Sequence, residues 1–246
     1  MNIEGSKKCL IRQPSGLGDI IFTLKIAEHY KNLGYDVIWP VIDSFTWLSD
    51  YISGYTFYSK GDNNYNAPLK QLDEYYEVYN QINPIFNENF VYLPLQSADK
   101  HFPNLKIMQS KYRMVNLDYS DWVNYFNFSR NLEKENELFI KLGLSDDREY
   151  CLVSRNYGSP PNYLKFPMDI KTKLKTVELG FVEGYTLFDW SKVIENAKEM
   201  YLIDSSINYL IDKLDIRSDN LNLYSRRTRN WSEIDYIFNT KYNLIN

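Results

Sequence analysis

Cysteine and histidine are scarce in this chain. Its 246 residues include two of each: Cys9, Cys151, His29 and His101. Two cysteines cannot build a disulfide scaffold or a cysteine-based zinc site, and two histidines cannot build a histidine-rich metal centre. Long apolar runs are missing as well. No window approaches the roughly 18 apolar residues of a membrane span, and the apolar stretch after residues 1–8 is too short for a signal peptide. The expectation is a soluble, cytoplasmic protein with no integral membrane segment. Nor is there a surplus of either charge, since 28 Lys and Arg stand against 32 Asp and Glu, a net −4. A nucleic-acid coat needs a basic excess to neutralise phosphates, so nucleic acid is not an expected partner. With 44% hydrophobic and 24% charged residues, the chain is neither fibrous nor disordered.

What is present is an α/β pattern. Cys9–Arg12 reads as a short apolar strand. A Pro/Ser/Gly turn follows, then Ile20, Ile21, Leu24, Ile26 and Ala27 at helical spacing, with Gly34 as C-cap. Asp36–Ile42 reads as a second buried strand. Strand, glycine turn, helix and strand make a βαβ unit, which implies a parallel sheet. Phe90–Leu95 is a later strand of that sheet, and a helix is expected around Glu133–Leu142. The polar break Ser145–Glu149 reads as a domain boundary. Beyond it lie strands at Tyr150–Ser154, Thr176–Leu179, Met200–Ile203 and Leu221–Tyr224. Helices are expected at Asp189–Ala197, capped by Asp189, at Ser205–Leu214, and at Ser232–Lys241, capped by Ser232. The 22 tyrosines, with abundant Asn, Ile and Lys, follow from the codon usage of an AT-rich genome. Trp39, Trp47, Trp122, Tyr75 and Tyr76 are therefore read as core or surface fillers rather than platforms for a sugar ring.

Open α/β sheets bind ligands beyond the carboxyl ends of their strands, where helix N-termini offer free amides. Two junctions have suitable residues. In Ser15-Gly16-Leu17-Gly18-Asp19 two glycines permit close backbone approach, and Asp19 falls in the first helical turn. The plain alternative is that Asp19 only caps that turn. A dinucleotide fingerprint would need glycine at Ile21, and although Asp43 stands where a ribose-binding acid belongs, it cannot replace that glycine. No glycine is followed by Lys and then Ser or Thr, so a P-loop is excluded. The second junction, Ile203-Asp204-Ser205-Ser206, gathers two hydroxyls and several amides suited to a phosphate; ordinary capping is its plain alternative.

Together these junctions resemble the GT-B glycosyltransferases of the ADP-heptose:LPS heptosyltransferase type. Those begin with a strand, a Gly-Leu-Gly-Asp turn and a helix, and carry an acidic cap, short helix, strand and Asp-Ser/Thr-Gly/Ser block in the second domain. Here that block runs from Phe181 to Trp190 and on through Met200–Ser206. The chain departs from the type by its shorter length and by Tyr209, where the family usually has a histidine. The resemblance implies two Rossmann-like α/β domains facing each other across a cleft. Residues 1–144 would form the acceptor-side domain and residues 145–246 the nucleotide-sugar-binding domain, with the closing helix a candidate to pack back on the first. The implied activity moves a sugar from a nucleoside-diphosphate sugar to a hydroxyl of a glycan, a lipid-linked or another acceptor, with inversion. The nucleotide sugar is a co-substrate, and no cofactor is expected.

Such chemistry needs a base for the acceptor hydroxyl and positive charge for the departing diphosphate. By the family analogy Asp19 is the base. The donor set comprises Gly16, Gly18, Arg155, Lys165 beyond the Pro160-Pro161 turn, Asp204, Ser205, Ser206 and Arg226, the last opening the run Arg226-Arg227-Thr228-Arg229. Glu183 would accept hydrogen bonds from the ribose or the sugar. No Asp-x-Asp triplet occurs, so no metal is expected to carry the diphosphate. Asp146-Asp147 and His101 are read as ordinary loop residues. Two rival readings are a non-catalytic nucleotide- or sugar-binding module of the same fold and, weakened by Ile21, a Rossmann oxidoreductase.

Overall fold

The computed structural model describes residues 6–59, 75–160, 162–226 and 234–245. By internal contacts the chain divides into two compact units, Met1–Phe128 and Ser129–Asn246.

The first unit runs β1 (Lys7–Ile11), α1 (Leu17–Phe22), α2 (Leu24–Asn32), β2 (Tyr35–Val41), α3 (Leu48–Tyr51), β3 (Phe57–Ser59), α4 (Tyr76–Tyr79), β4 (Ile85–Phe86), β5 (Phe90–Leu93) and α5 (Ile107–Met114). Its sheet has the order β3-β2-β1-β5-β4. All neighbours are parallel except β4, which pairs antiparallel to β5. Cys9, Leu10 and Ile11 are fully buried, as a central parallel strand covered on both faces requires. The single first helix expected from the spacing is in fact two. The Thr23 hydroxyl donates back to the carbonyls of Asp19 (2.8 Å) and Ile20 (3.2 Å), the local competition that bends helices, and α1 gives way to α2 there. Gly34 follows α2 at φ +84°, as a C-cap glycine should. Phe22 packs its ring on Tyr112 (centroids 4.9 Å apart) and Trp122 (5.6 Å), which ties α1 to α5 through the core.

The second unit runs α6 (Leu132–Lys141), β6 (Tyr150–Ser154), β7 (Asn156–Tyr157), β8 (Leu164–Lys165), β9 (Lys175–Glu178), α7 (Ser191–Glu195), β10 (Glu199–Ile203), α8 (Ile207–Ile211), β11 (Asn220–Tyr224), α9 (Ile234–Ile237) and β12 (Asn243–Ile245). Its main sheet, β12-β11-β10-β6-β9, is parallel throughout, and β7 and β8 form a separate antiparallel pair. Helix α6 packs on α7 and on the 3-10 turn Leu187–Trp190. Arg130, just before α6, binds both Glu135 and Glu195. The helix that the polar break at Ser145 would leave in the first domain therefore shares its core with the second unit.

Three helix expectations in the second unit also differ from the structure. Asp189 does not start its helix. It is buried, and its carboxylate accepts hydrogen bonds from the Thr186 amide (2.7 Å) and hydroxyl (3.0 Å), so that Thr186 is the cap and a 3-10 turn precedes α7. Helix α8 is a short piece of the expected Ser205–Leu214 span. The closing helix ends at Ile237 rather than Lys241, because the Asp212 carboxylate takes the amides of Asn239 (3.0 Å) and Thr240 (2.7 Å) and the chain then enters β12, a strand the spacing did not announce. The expected cap Ser232 lies outside the described residues. Among the described residues no helix is long and apolar enough to cross a membrane.

Candidate functional site

In the first unit the strand order turns beside β1, with β2 and β3 on one side and β5 on the other. Loops leaving the carboxyl ends of β1 and β5 part there, which opens the crevice where such sheets bind ligands. The turn after β1 is pinned in place. The Gln13 carbonyl accepts from the Trp39 indole (3.1 Å), the Pro14 carbonyl from the Ile42 amide (2.9 Å), and the Gln13 side chain donates to the Ser15 carbonyl (2.6 Å). Gly16 then takes φ +75°, and a Cβ there would stand 2.6 Å from Asp19 Oδ2. Glycine is required on both counts. Gly18 is buried within α1 and is not at positive φ.

Asp19 is more than a helix cap. Its side chain is 33% exposed, and its Oδ1 lies 2.9 Å from the ammonium of Lys111, a side chain only 1% exposed. The same ammonium donates to Gln13 Oε1 at 2.5 Å. A buried ammonium persists only with a counter-charge and further acceptors, and here Asp19 and Gln13 supply both. Sequence reasoning missed Lys111 and Gln13. The available signal was the stripe Met108, Lys111, Tyr112 and Val115, where a charge sits at an apolar helical spacing. Asp43 takes the hydroxyl of Ser59, and His101 Nε2 lies 2.7 Å from the Ile82 carbonyl. Trp39, Trp122 and Tyr75 are buried in the core, while Tyr76 is exposed.

In the second unit the strand order turns between β6 and β10. The loop after β6 carries Arg155, and the loop after β10 carries Asp204, Ser205 and Ser206, so the topology sets both at one switch point. Arg155 donates from Nη1 to the Met168 carbonyl (3.2 Å). Its buried Nε lies 4.0 Å from Glu178 Oε2 and has no hydrogen-bond partner among the described residues. Lys165, on β8, pairs with Glu178 Oε1 at 2.7 Å. Arg226, two residues past β11, reaches Asp204 Oδ2 at 3.5 Å and covers the Tyr157 ring at 5.9 Å. These three cations pair with two carboxylates, Glu178 and Asp204.

The other second-unit expectations divide. The Ser205 amide is held by the Asn208 side chain (2.9 Å), and Ser206, half-buried, opens α8. Glu183 is exposed in the loop before Thr186. Tyr209 is buried and sets its ring edge-on to Phe238, with centroids 4.9 Å apart. Pro161, Arg227, Thr228 and Arg229 lie outside the described residues. Among the described residues no three His, Cys, Asp or Glu side chains gather as a metal centre would.

No family model and no curated protein matches the chain. Among solved structures it is similar to the crystal structure of a glycosyl transferase family 9 protein from Veillonella parvula DSM 2008. That similarity has a TM-score of 0.53 and 11% identity, and it covers 97% of this chain and 86% of the other. The likeness extends over nearly the whole chain and shows its fold, a mixed α/β architecture with parallel sheets, consistent with a GT-B-like fold.

Proposed function

We propose that this protein is a glycosyltransferase that moves a sugar from a nucleoside-diphosphate sugar to an acceptor hydroxyl, with inversion and without a metal ion. The observation that carries the reading is the chemistry at the two switch points. One presents a carboxylate on a glycine turn, and the other gathers Arg155, Lys165 and Arg226. The likeness in fold to a family 9 glycosyl transferase supports it. In this reading the acceptor oxygen forms a bond to the anomeric carbon and its proton passes to Asp19. The bond from that carbon to the diphosphate breaks, and the diphosphate leaves with the electron pair. Arg155, Lys165 and Arg226 stabilise the charge that develops on the leaving oxygens, as positioned cations do. Ser205 and Ser206 border the same site.

A thermal-shift panel with UDP, GDP, ADP, TDP, CMP and NAD, with and without Mg²⁺, tests the proposal. A ligand at about 100 times its dissociation constant stabilises the fold by about 2.7 kcal/mol. The expected result is a rise with at least one nucleoside diphosphate that is indifferent to Mg²⁺. A rise with NAD alone overturns the proposal in favour of an oxidoreductase, and no rise with any ligand overturns the donor site. A diphosphate that binds without turnover of any of its sugar conjugates points to the non-catalytic module.

A further inference from the structure

The buried ammonium beside Asp19 has a consequence for the chemistry proposed above. Lys111 comes from α5, far along the chain, and its Nζ reaches Asp19 Oδ1 (2.9 Å) and Gln13 Oε1 (2.5 Å). Gln13 is itself buried and anchored, through its side-chain amide to the Ser15 carbonyl and through its own carbonyl to the Trp39 indole. The ammonium is thus fixed on one side by the turn after β1 and on the other by the carboxylate. The two oxygens of Asp19 are thereby distinguished. Oδ1 faces the ammonium inside the protein, and Oδ2 lies over the bare α-carbon of Gly16. A carboxylate on a short side chain that is a third exposed would otherwise rotate between rotamers and present either oxygen.

We propose that Lys111 is a positioning residue: it clamps Oδ1 of Asp19 so that Oδ2, above Gly16, is the oxygen that receives the acceptor proton. The proposal rests on the reading of Asp19 as the base. Lys111 touches no substrate in it and acts only through the carboxylate. Its contribution is geometric, since a base displaced by about 1 Å loses about a hundredfold in rate.

A double-mutant cycle on the full chain tests it. Release of the nucleoside diphosphate is followed with UDP-, GDP-, ADP- and TDP-sugars, for the wild type, Lys111→Met, Asp19→Asn and the double variant. Lys111→Met is expected to lower kcat about a hundredfold with the donor KM unchanged. Asp19→Asn is expected to lower kcat by about two to four orders of magnitude. The double variant should be no slower than Asp19→Asn alone, because a clamp has nothing to act on once the base is gone. A purely structural lysine would instead give additive losses, or losses divided between kcat and KM, and either result overturns the proposal. Wild-type kcat in Lys111→Met overturns it while leaving Asp19 as base, whereas wild-type kcat in Asp19→Asn overturns the base reading. No turnover by the wild type with any donor overturns both. If Lys111→Met does not fold, Lys111→Gln, which keeps an N–H donor group without the charge, is carried through the same cycle.

Discussion

Gly16→Ala isolates the energetics of the turn that carries Asp19. A side chain at φ +75° costs about 1–2 kcal/mol in backbone strain alone. The new methyl would also stand 2.6 Å from Asp19 Oδ2, so the carboxylate must move. It cannot move freely, because its other oxygen balances an ammonium that is 1% exposed. Weakening that pair brings the total to about 3 kcal/mol, the low end of what breaking a buried pair costs. At about 2–4 °C per kcal/mol for a chain of this size, the melting midpoint falls by about 6–12 °C. Gly34→Ala is the control. Its glycine has φ +84°, yet an added Cβ would meet nothing within 4 Å, so it carries the strain without the contact. Differential scanning calorimetry of the two variants reads the difference. If both melt within about 2 °C of each other, Asp19 is not held between Gly16 and Lys111.

Two further outcomes follow from buried groups. Arg130→Met removes the guanidinium that neutralises Glu135, a carboxylate 1% exposed, along with its second partner Glu195. It should cost about 3 kcal/mol in urea unfolding, with partial recovery in Arg130→Met/Glu135→Gln, and an unchanged midpoint would refute the pairing as a stabilising element. Burial pushes the Cys151 thiol up to about 12, well above the ordinary thiol range, and burial raises Cys9 as well. Neither thiol should react with Ellman's reagent near pH 8 in the native state, while both should react once denatured. These thiols stay protonated in the folded chain after the unfolded chain has begun to ionise, so their contribution is intact below about pH 9 and is lost as the pH rises towards 12. Rapid modification of the native protein would show the two sites to be open.

Much of the fold was legible because its signals are local. The apolar runs around Leu10, Leu152 and Leu202, the glycine at 34 and the βαβ order are properties of short windows, and each produced a strand, a cap or a parallel pairing where expected. Two helix failures were also local in cause. Thr23 turned its hydroxyl onto the preceding turn and divided one helix in two, and Asp189 capped from the third helical position rather than the first. The compact units part at Phe128 and Ser129, and Arg130 joins α6 to α7 through Glu135 and Glu195, a pairing that no window around Ser145 contains.

By itself the sequence determined that this is an α/β chain with parallel sheets, that its first helix opens on a glycine turn carrying Asp19, and that Arg155 and Asp204 leave the ends of strands. Those facts follow from periodicity and turn chemistry, which act over a few residues. Only the tertiary structure decided which of these residues meet. Arg155 and Asp204 come to one switch point because β6 and β10 pair side by side, 45 or more residues apart in the chain. Lys111 reaches Asp19 across nearly the whole first unit because α5 packs its Tyr112 against Phe22. Long-range pairing is a sum over packing contacts that no local window records, and the environment of the proposed base is the part of this protein that depends on it most.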